Sequence, residues 1–90
     1  MKYFEWDENK REANIQKHGI DFIDAIKVFA DTHRIELESE RAGEKRSQTI
    51  GTIEGIIIVL VVYTHRSEKK RIISARRASK KERAVYYHSR

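Results

Sequence analysis

The seven residues Ile56-Ile57-Ile58-Val59-Leu60-Val61-Val62 contain no polar side chain, and all but Leu60 are β-branched. β-Branched side chains favour the extended backbone, where successive side chains point to opposite faces. A strand with no polar position has both faces covered. The run therefore predicts the central strand of a sheet with further layers on both sides. It is far short of the roughly 20 apolar residues that a membrane-spanning helix needs.

The rest of the chain must supply those layers, and it totals only 90 residues, which leaves room for a single domain over residues 1–90. A domain of this size buries only roughly 60–65% of the surface its unfolded chain exposes. Cysteine is absent, so disulfides, thiolate zinc sites, thiol redox chemistry and cysteine nucleophiles are excluded. Packing, hydrogen bonding and a partner chain remain as sources of stability. A cysteine-free chain suits a reducing cytoplasm. The opening Met1-Lys2-Tyr3-Phe4-Glu5-Trp6-Asp7 has no apolar stretch ending in small residues, so no secretory signal is expected there. The expected location is the cytoplasm.

Proline is absent and only four glycines occur, so linkers and low-complexity segments are not expected. Lys2–Trp6 reads as a short strand. Asp7 can cap a polar helix that runs to about His18, with Gly19 as its left-handed stop. That helix has few apolar residues (Ala13 and Ile15), so its stability must come from docking. Asp21 can cap a second helix, in which Phe22, Ala25, Ile26 and Phe29 share one face. Ile35 and Leu37 alternate with polar neighbours across a strand at 33–37, and 38–44 reads as a charged turn containing Gly43. Strands at 45–54 and 56–66 meet tightly around Glu54-Gly55, and 71–77 gives another. Ser79 and Glu82 then form a capping box for a last helix. The predicted order is β-α-α-β-β-β-β-α, an α+β domain with a mostly antiparallel sheet.

The formal net charge of +5 conceals an asymmetry. Residues 64–90 hold ten Lys or Arg against two acids, a net +8, whereas residues 1–63 hold nine against twelve, a net −3. A basic half of this strength points to an anionic partner, with nucleic acid first. The same charges also suit a solvated face. Most are arginines, whose planar fork matches phosphate.

The chemistry narrows by exclusion. His18, His33, His65 and His88 have no short metal-binding spacing, and no glycine-rich phosphate loop or Gly-x-Ser-x-Gly elbow occurs. What remains is a set of arginines at strand ends and flanks: Arg46, Arg66, Arg76 and Arg77. Such groups suit RNA cleavage without a metal or cofactor, because forks fixed around the scissile phosphate stabilise its charge more in the transition state than in the ground state. A base must take the 2′-hydroxyl proton; Glu44 and His65 are the candidates. A lone histidine at a strand end also fits a structural role. Antiparallel pairing brings Arg66 near Lys70 and Arg71, and Arg76 near Leu60, well away along the sheet. Side-chain alternation sets Arg76 and Arg77 on opposite faces; a turn at Arg77 is expected to bring them together. Lys70, Arg71, Lys80, Lys81 and Arg83 extend the basic surface for RNA. Tyr86 can hydrogen-bond a phosphate or stack on a base, or pack on the sheet.

Six segments taken together resemble the BrnT family: Phe4-Glu5-Trp6-Asp7, Lys17-His18-Gly19-Ile20-Asp21-Phe22, Gly43-Glu44-Lys45-Arg46, Val62-Tyr63-Thr64-His65-Arg66, Arg71-Ile72-Ile73-Ser74-Ala75-Arg76-Arg77-Ala78 and Lys81-Glu82-Arg83 through Tyr86. The resemblance covers almost the whole chain in order. It implies a RelE-like ribonuclease toxin of a type II toxin–antitoxin module, which cuts RNA and halts translation. It further implies neutralisation by a BrnA-type antitoxin, through which the complex binds operator DNA and represses its own operon. The family's Gly-Glu-x-Arg residues fall on Glu44 and Arg46, its Tyr-Thr-x-Arg arginine on Arg66, and its Ser-Ala-Arg-Arg pair on Arg76 and Arg77. Its opening tryptophan falls on Trp6, as an RNA contact or as packing. A non-catalytic nucleic-acid-binding module is the competing reading, since the same basic face is enough for binding.

Overall fold

The structure, a computed structural model, describes residues 3–89. Strand β1 (Phe4–Glu5) leads into helix α1 (Glu8–His18), the short helix α2 (Phe22–Ala25) and a 3-10 turn (Ile26–Ala30). Strands β2 (Ile35–Arg41), β3 (Glu44–Ile53), β4 (Ile57–Arg66) and β5 (Lys69–Arg77) follow, and helix α3 (Lys80–His88) closes the chain. The sheet runs β1-β5-β4-β3-β2; β1 is parallel to β5 and every other pair is antiparallel. The apolar strand β4 thus lies third of five, with a core on each face. Val59, Val61 and Tyr63 pack under α2 and the 3-10 turn together with Phe22, Ala25 and Val28. Ile58 and Leu60 pack on the other side with Ile50, Ala78 and Tyr86 of α3. Ile56, read as part of this strand, instead sits in the β3–β4 turn, 79% exposed.

The helix ends follow their local signals. Asp7 accepts from the amides of Asn9 and Lys10, and Gly19 closes α1 in the left-handed conformation at φ 70°. Ala13 and Ile15 are exposed, so α1 does not dock through its apolar residues. It docks through Asn14, which is 6% exposed. The Asn14 Nδ2 donates to the Ile20 and Ala75 carbonyls at 2.8 Å, and its Oδ1 accepts from the Ala75 amide at 3.1 Å. β1 pairs with β5 only as far as Arg71; beyond that, one side-chain amide satisfies both backbone groups of the buried Ala75 on the edge that no strand covers. Arg11 adds a fork onto Asp21, at 2.8 and 2.9 Å.

Three expectations are corrected. The second helix lasts four residues and tightens into a 3-10 turn, because the fully buried Phe22, Ala25 and Val28 repeat every three residues, the 3-10 period. Residues 38–41 continue β2 instead of forming a turn, and the hairpin is closed by Ala42 (φ 53°) and Gly43 (φ 79°) alone. Two successive positive φ values match the twist of a two-residue hairpin. Strand β5 carries a bulge: Val62 pairs with Ser74 but Tyr63 pairs with Ile72, leaving Ile73 unopposed. The extra residue puts Ile72 and Ala75 in the same core, where simple alternation separates them. The part of the first expected strand at Lys2 lies outside the described residues.

Candidate active site

The β3–β4 ladder runs from Ile53–Ile57 to Ser47–Tyr63 and stops, although both strands continue. β3 goes on pairing with β2 to Glu44, and β4 with β5 to Arg66. Beyond the last rung neither strand carries an apolar side chain, so nothing zips the two hairpins together. That rung is fixed from the side. The Tyr63 hydroxyl donates to Glu36 Oε1 at 3.0 Å, and Thr49 Oγ1 donates to the same oxygen. Burial raises the Glu36 pKa, but these hydrogen bonds and one from Arg34 outweigh it and hold it below the usual range.

Between the diverging strands lies a cleft of about 420 Å³, lined by Glu44, Arg46, Thr64, His65 and Arg66 among others. Three of the five expected catalytic residues therefore meet here: Glu44, Arg46 and Arg66. Alternation places Arg46, Thr64 and Arg66 on one face and His65 on the other, edge-on to Tyr63 with ring centroids 5.5 Å apart. Because the cleft opens between the strands, it collects residues from both faces, and His65 and Arg66 share it. The Arg46 Nε is buried without a hydrogen-bond partner among the described residues. Such groups are uncommon and call for an explanation. Arg66 is 65% exposed and lies 3.8 Å from Glu5 Oε2, whose close partner is Arg71 Nη1 at 2.7 Å. Hydrogen bonding to Arg71 holds the Glu5 carboxyl below its ordinary pKa.

Arg76 and Arg77 lie elsewhere. Arg76 stands opposite Leu60 and Arg77 opposite Val59. Leu60 and Arg66 are six residue steps apart along the strand, about 20 Å at the usual rise. β5 stays extended through Arg77, so the turn expected to bring the two arginines together is absent. The Arg76 fork is occupied by Glu82, at 2.8 and 2.9 Å.

The expected RNA contacts also divide. Lys70 lies over the Phe29 ring, 5.5 Å from its centroid, and Arg71 is paired with Glu5. Lys80, Lys81 and Arg83 are exposed on α3, with Arg83 Nη1 donating to the Ala78 carbonyl at 2.8 Å. Tyr86 is 2% exposed and its hydroxyl donates to Asp31 Oδ2 at 2.6 Å, which leaves no ring face for a base. Trp6 donates from Nε1 to Glu8 at 3.0 Å and packs edge-on against Phe22. Sequence reasoning missed Glu5, Asn14 and Asp31 as anchors. Their partners lie far away in sequence, and no local pattern signals them. Among the described residues no group of three or more His, Asp or Glu side chains is placed to hold a metal ion. Among the described residues no helix is long and apolar enough to cross a membrane.

The fold and cleft define a small α+β protein with an arginine–carboxylate site where its central sheet opens. A family model described as the ribonuclease toxin BrnT of type II toxin–antitoxin systems matches residues 6–82. The chain belongs to this BrnT family. Its structure is similar to that of the Brucella abortus ribonuclease toxin BrnT, with a TM-score of 0.67 and 32% sequence identity, covering 87% of this chain and 99% of the other. No curated protein matches the sequence.

Proposed function

We propose that this chain is an endoribonuclease toxin with a RelE-like fold that cuts RNA without a metal, at the cleft between the ends of β3 and β4. The observation that carries this reading is the meeting of Glu44, Arg46 and Arg66 where the ladder stops, with a buried arginine Nε that has no partner. The same guanidinium carries four further N–H donors in the planar fork that suits phosphate oxygens.

In the proposed reaction the 2′-hydroxyl oxygen attacks the adjacent phosphorus as Glu44 takes its proton. The phosphorus–O5′ bond breaks, giving a 2′,3′-cyclic phosphate, and the leaving O5′ takes a proton from His65. Arg46 and Arg66 hold the non-bridging oxygens as negative charge builds on them. Arg76 acts indirectly, by fixing β5 to α3. Message loss halts translation in the cytoplasm. A BrnA-type antitoxin neutralises the toxin and carries the complex to its operator.

Single-turnover cleavage of a labelled RNA in EDTA, beside binding of the same RNA, tests this reading. Wild type is expected to cleave in EDTA, and Arg46→Ala and Arg66→Ala to lose about 10²–10³ in rate with much smaller losses in affinity. Cleavage that vanishes in EDTA refutes the metal-free mechanism. Binding with no cleavage supports the non-catalytic reading instead.

A further inference from the structure

At the end of the sheet opposite the cleft, Ile56, Ile57, Ile58, Arg77, Arg83 and Tyr87 line a hollow of about 230 Å³. Ile56 is 79% exposed and Tyr87 58%, so an apolar rim stands in water beside two arginines. Among the described residues no acid lines the hollow. The nearby carboxylates are committed elsewhere: Glu82 to Arg76 and its helix cap, and Glu54 to Lys27. Arg77 pairs with Val59, seven strand residues from Arg66, which sets this surface about 23 Å from the cleft along β4.

We propose that this hollow anchors an acidic, amphipathic segment of the antitoxin. One apolar side chain seats between Ile56 and Tyr87, and carboxylates on either side of it meet Arg77 and Arg83. The inference rests on the toxin–antitoxin reading above and adds where the partner holds on. The volume is below the roughly 300–1,000 Å³ of small-molecule sites and suits one or two side chains. RNA offers phosphates to the arginines and a base to stack on Tyr87, but a polar-edged base covers the aliphatic Ile56 less well than an aliphatic side chain does. An acidic apolar peptide satisfies both parts of the surface, by charge complementarity and by apolar burial. From this anchor about seven extended residues reach the cleft, so one segment can hold on here and cover the active site there.

The test uses the full chain and the antitoxin encoded beside it. Antitoxin affinity and, separately, RNA cleavage by the free toxin are measured for wild type, Ile56→Glu, Ile56→Lys and Tyr87→Ala. Both positions are exposed, and thermal melts verify that the variants fold. Ile56→Glu and Tyr87→Ala are expected to weaken antitoxin binding about 10-fold or more. Ile56→Lys, which keeps an apolar stem and a favourable charge, is expected to weaken it less, and cleavage by all three is expected to be unchanged. Equal antitoxin affinity for wild type, Ile56→Glu and Tyr87→Ala overturns this inference alone. Loss of RNA cleavage or RNA affinity in the same variants assigns the surface to RNA and also overturns it. A wild-type protein that binds no antitoxin overturns the toxin–antitoxin reading and this inference with it.

Discussion

Arg76 and Glu82 form a two-pronged ion pair, Nη1 to Oε1 at 2.8 Å and Nη2 to Oε2 at 2.9 Å, that joins the last strand to the first turn of α3. The same Oε1 also accepts from the Ser79 amide at 2.8 Å, completing the capping box. One carboxylate therefore stops the strand, starts the helix and holds an arginine that the family pattern puts among the functional residues. An arginine already neutralised by a carboxylate is poorly placed to neutralise a phosphate.

Substituting Glu82→Gln is accordingly expected to destabilise the fold by about 1–2 kcal/mol, from a weakened cap and a half-exposed pair discounted for solvent screening. Arg76→Gln is expected to cost about the same. With both variants assayed well below their melting temperatures, cleavage is expected to fall less than about 10-fold, against about 10²–10³ for an arginine of the cleft. Thermal melts beside single-turnover rates give both readings. A collapse of cleavage in a fully folded Arg76→Gln protein assigns Arg76 to the chemistry.

The split between Arg76 and the cleft shows what local pattern can and cannot convey. Asp7, Gly19, Asp21, Ser79 and Glu82 act within a few residues of their own positions, and each cap is present as read. The β4 run was largely legible for a similar reason: residues 57–62 of the apolar stretch form a strand covered on both faces, while Ile56 falls in the turn before it. The bulge at Ile73 was not legible, because it depends on how two strands meet. Nor were Asn14 on Ala75 and Glu5 on Arg71, whose partners lie 61 and 66 residues away. The candidate site was half legible. Glu44, Arg46 and Arg66 were singled out by residue type, but that they line one cleft follows from a ladder that stops, which no residue type signals.

Asn14 yields a prediction that no composition argument would supply. Replacing it by Ala leaves the buried amide and carbonyl of Ala75 without partners, at about 1–3 kcal/mol for each unsatisfied group. Asn14→Ala is expected to lower stability by about 3 kcal/mol in denaturant titration, and to speed hydrogen exchange at the Ala75 amide. Asn14→Asp is expected to be similarly damaging, because a carboxylate cannot donate to the Ile20 and Ala75 carbonyls. Equal exchange at Ala75 in wild type and Asn14→Ala contradicts the bridging role.

Acid lability follows from Asp31 and Glu82. Burial pushes the Asp31 pKa up, but bonds from the Tyr86 hydroxyl, the Thr52 amide and hydroxyl and the His33 amide outweigh it and hold it down at about 2 against an ordinary 3.8. Glu82 is held at about 2 against 4.5, chiefly by Arg76. Both pKa values are depressed, so between roughly pH 4.5 and 2 the unfolded chain binds more protons than the folded one. Stability is complete above that window and is lost as pH falls through it. Melting temperature is expected to drop across this range, with a shallower slope for Asp31→Asn, which has no proton to gain there. Parallel slopes for the two proteins remove Asp31 from the account.

Arg46 carries the sharpest prediction, because stability and activity should move in opposite directions. Its Nε is buried without a partner, and an unsatisfied buried donor costs about 1–3 kcal/mol. Methionine keeps much of the side chain's length and apolar stem while removing the donor, so Arg46→Met is expected to raise stability by about 1 kcal/mol. The same change removes a fork from the developing phosphate charge and is expected to slow cleavage by about 10²–10³. Arg46→Lys keeps the charge but not the planar geometry that spans two oxygens, and is expected to recover only a small part of the rate. An arginine kept only for packing predicts the reverse: stability falls on replacement, and cleavage by the folded variant persists. Denaturant titration and single-turnover cleavage on the same three proteins separate the two cases, since a functional role requires the more stable protein to be the less active one.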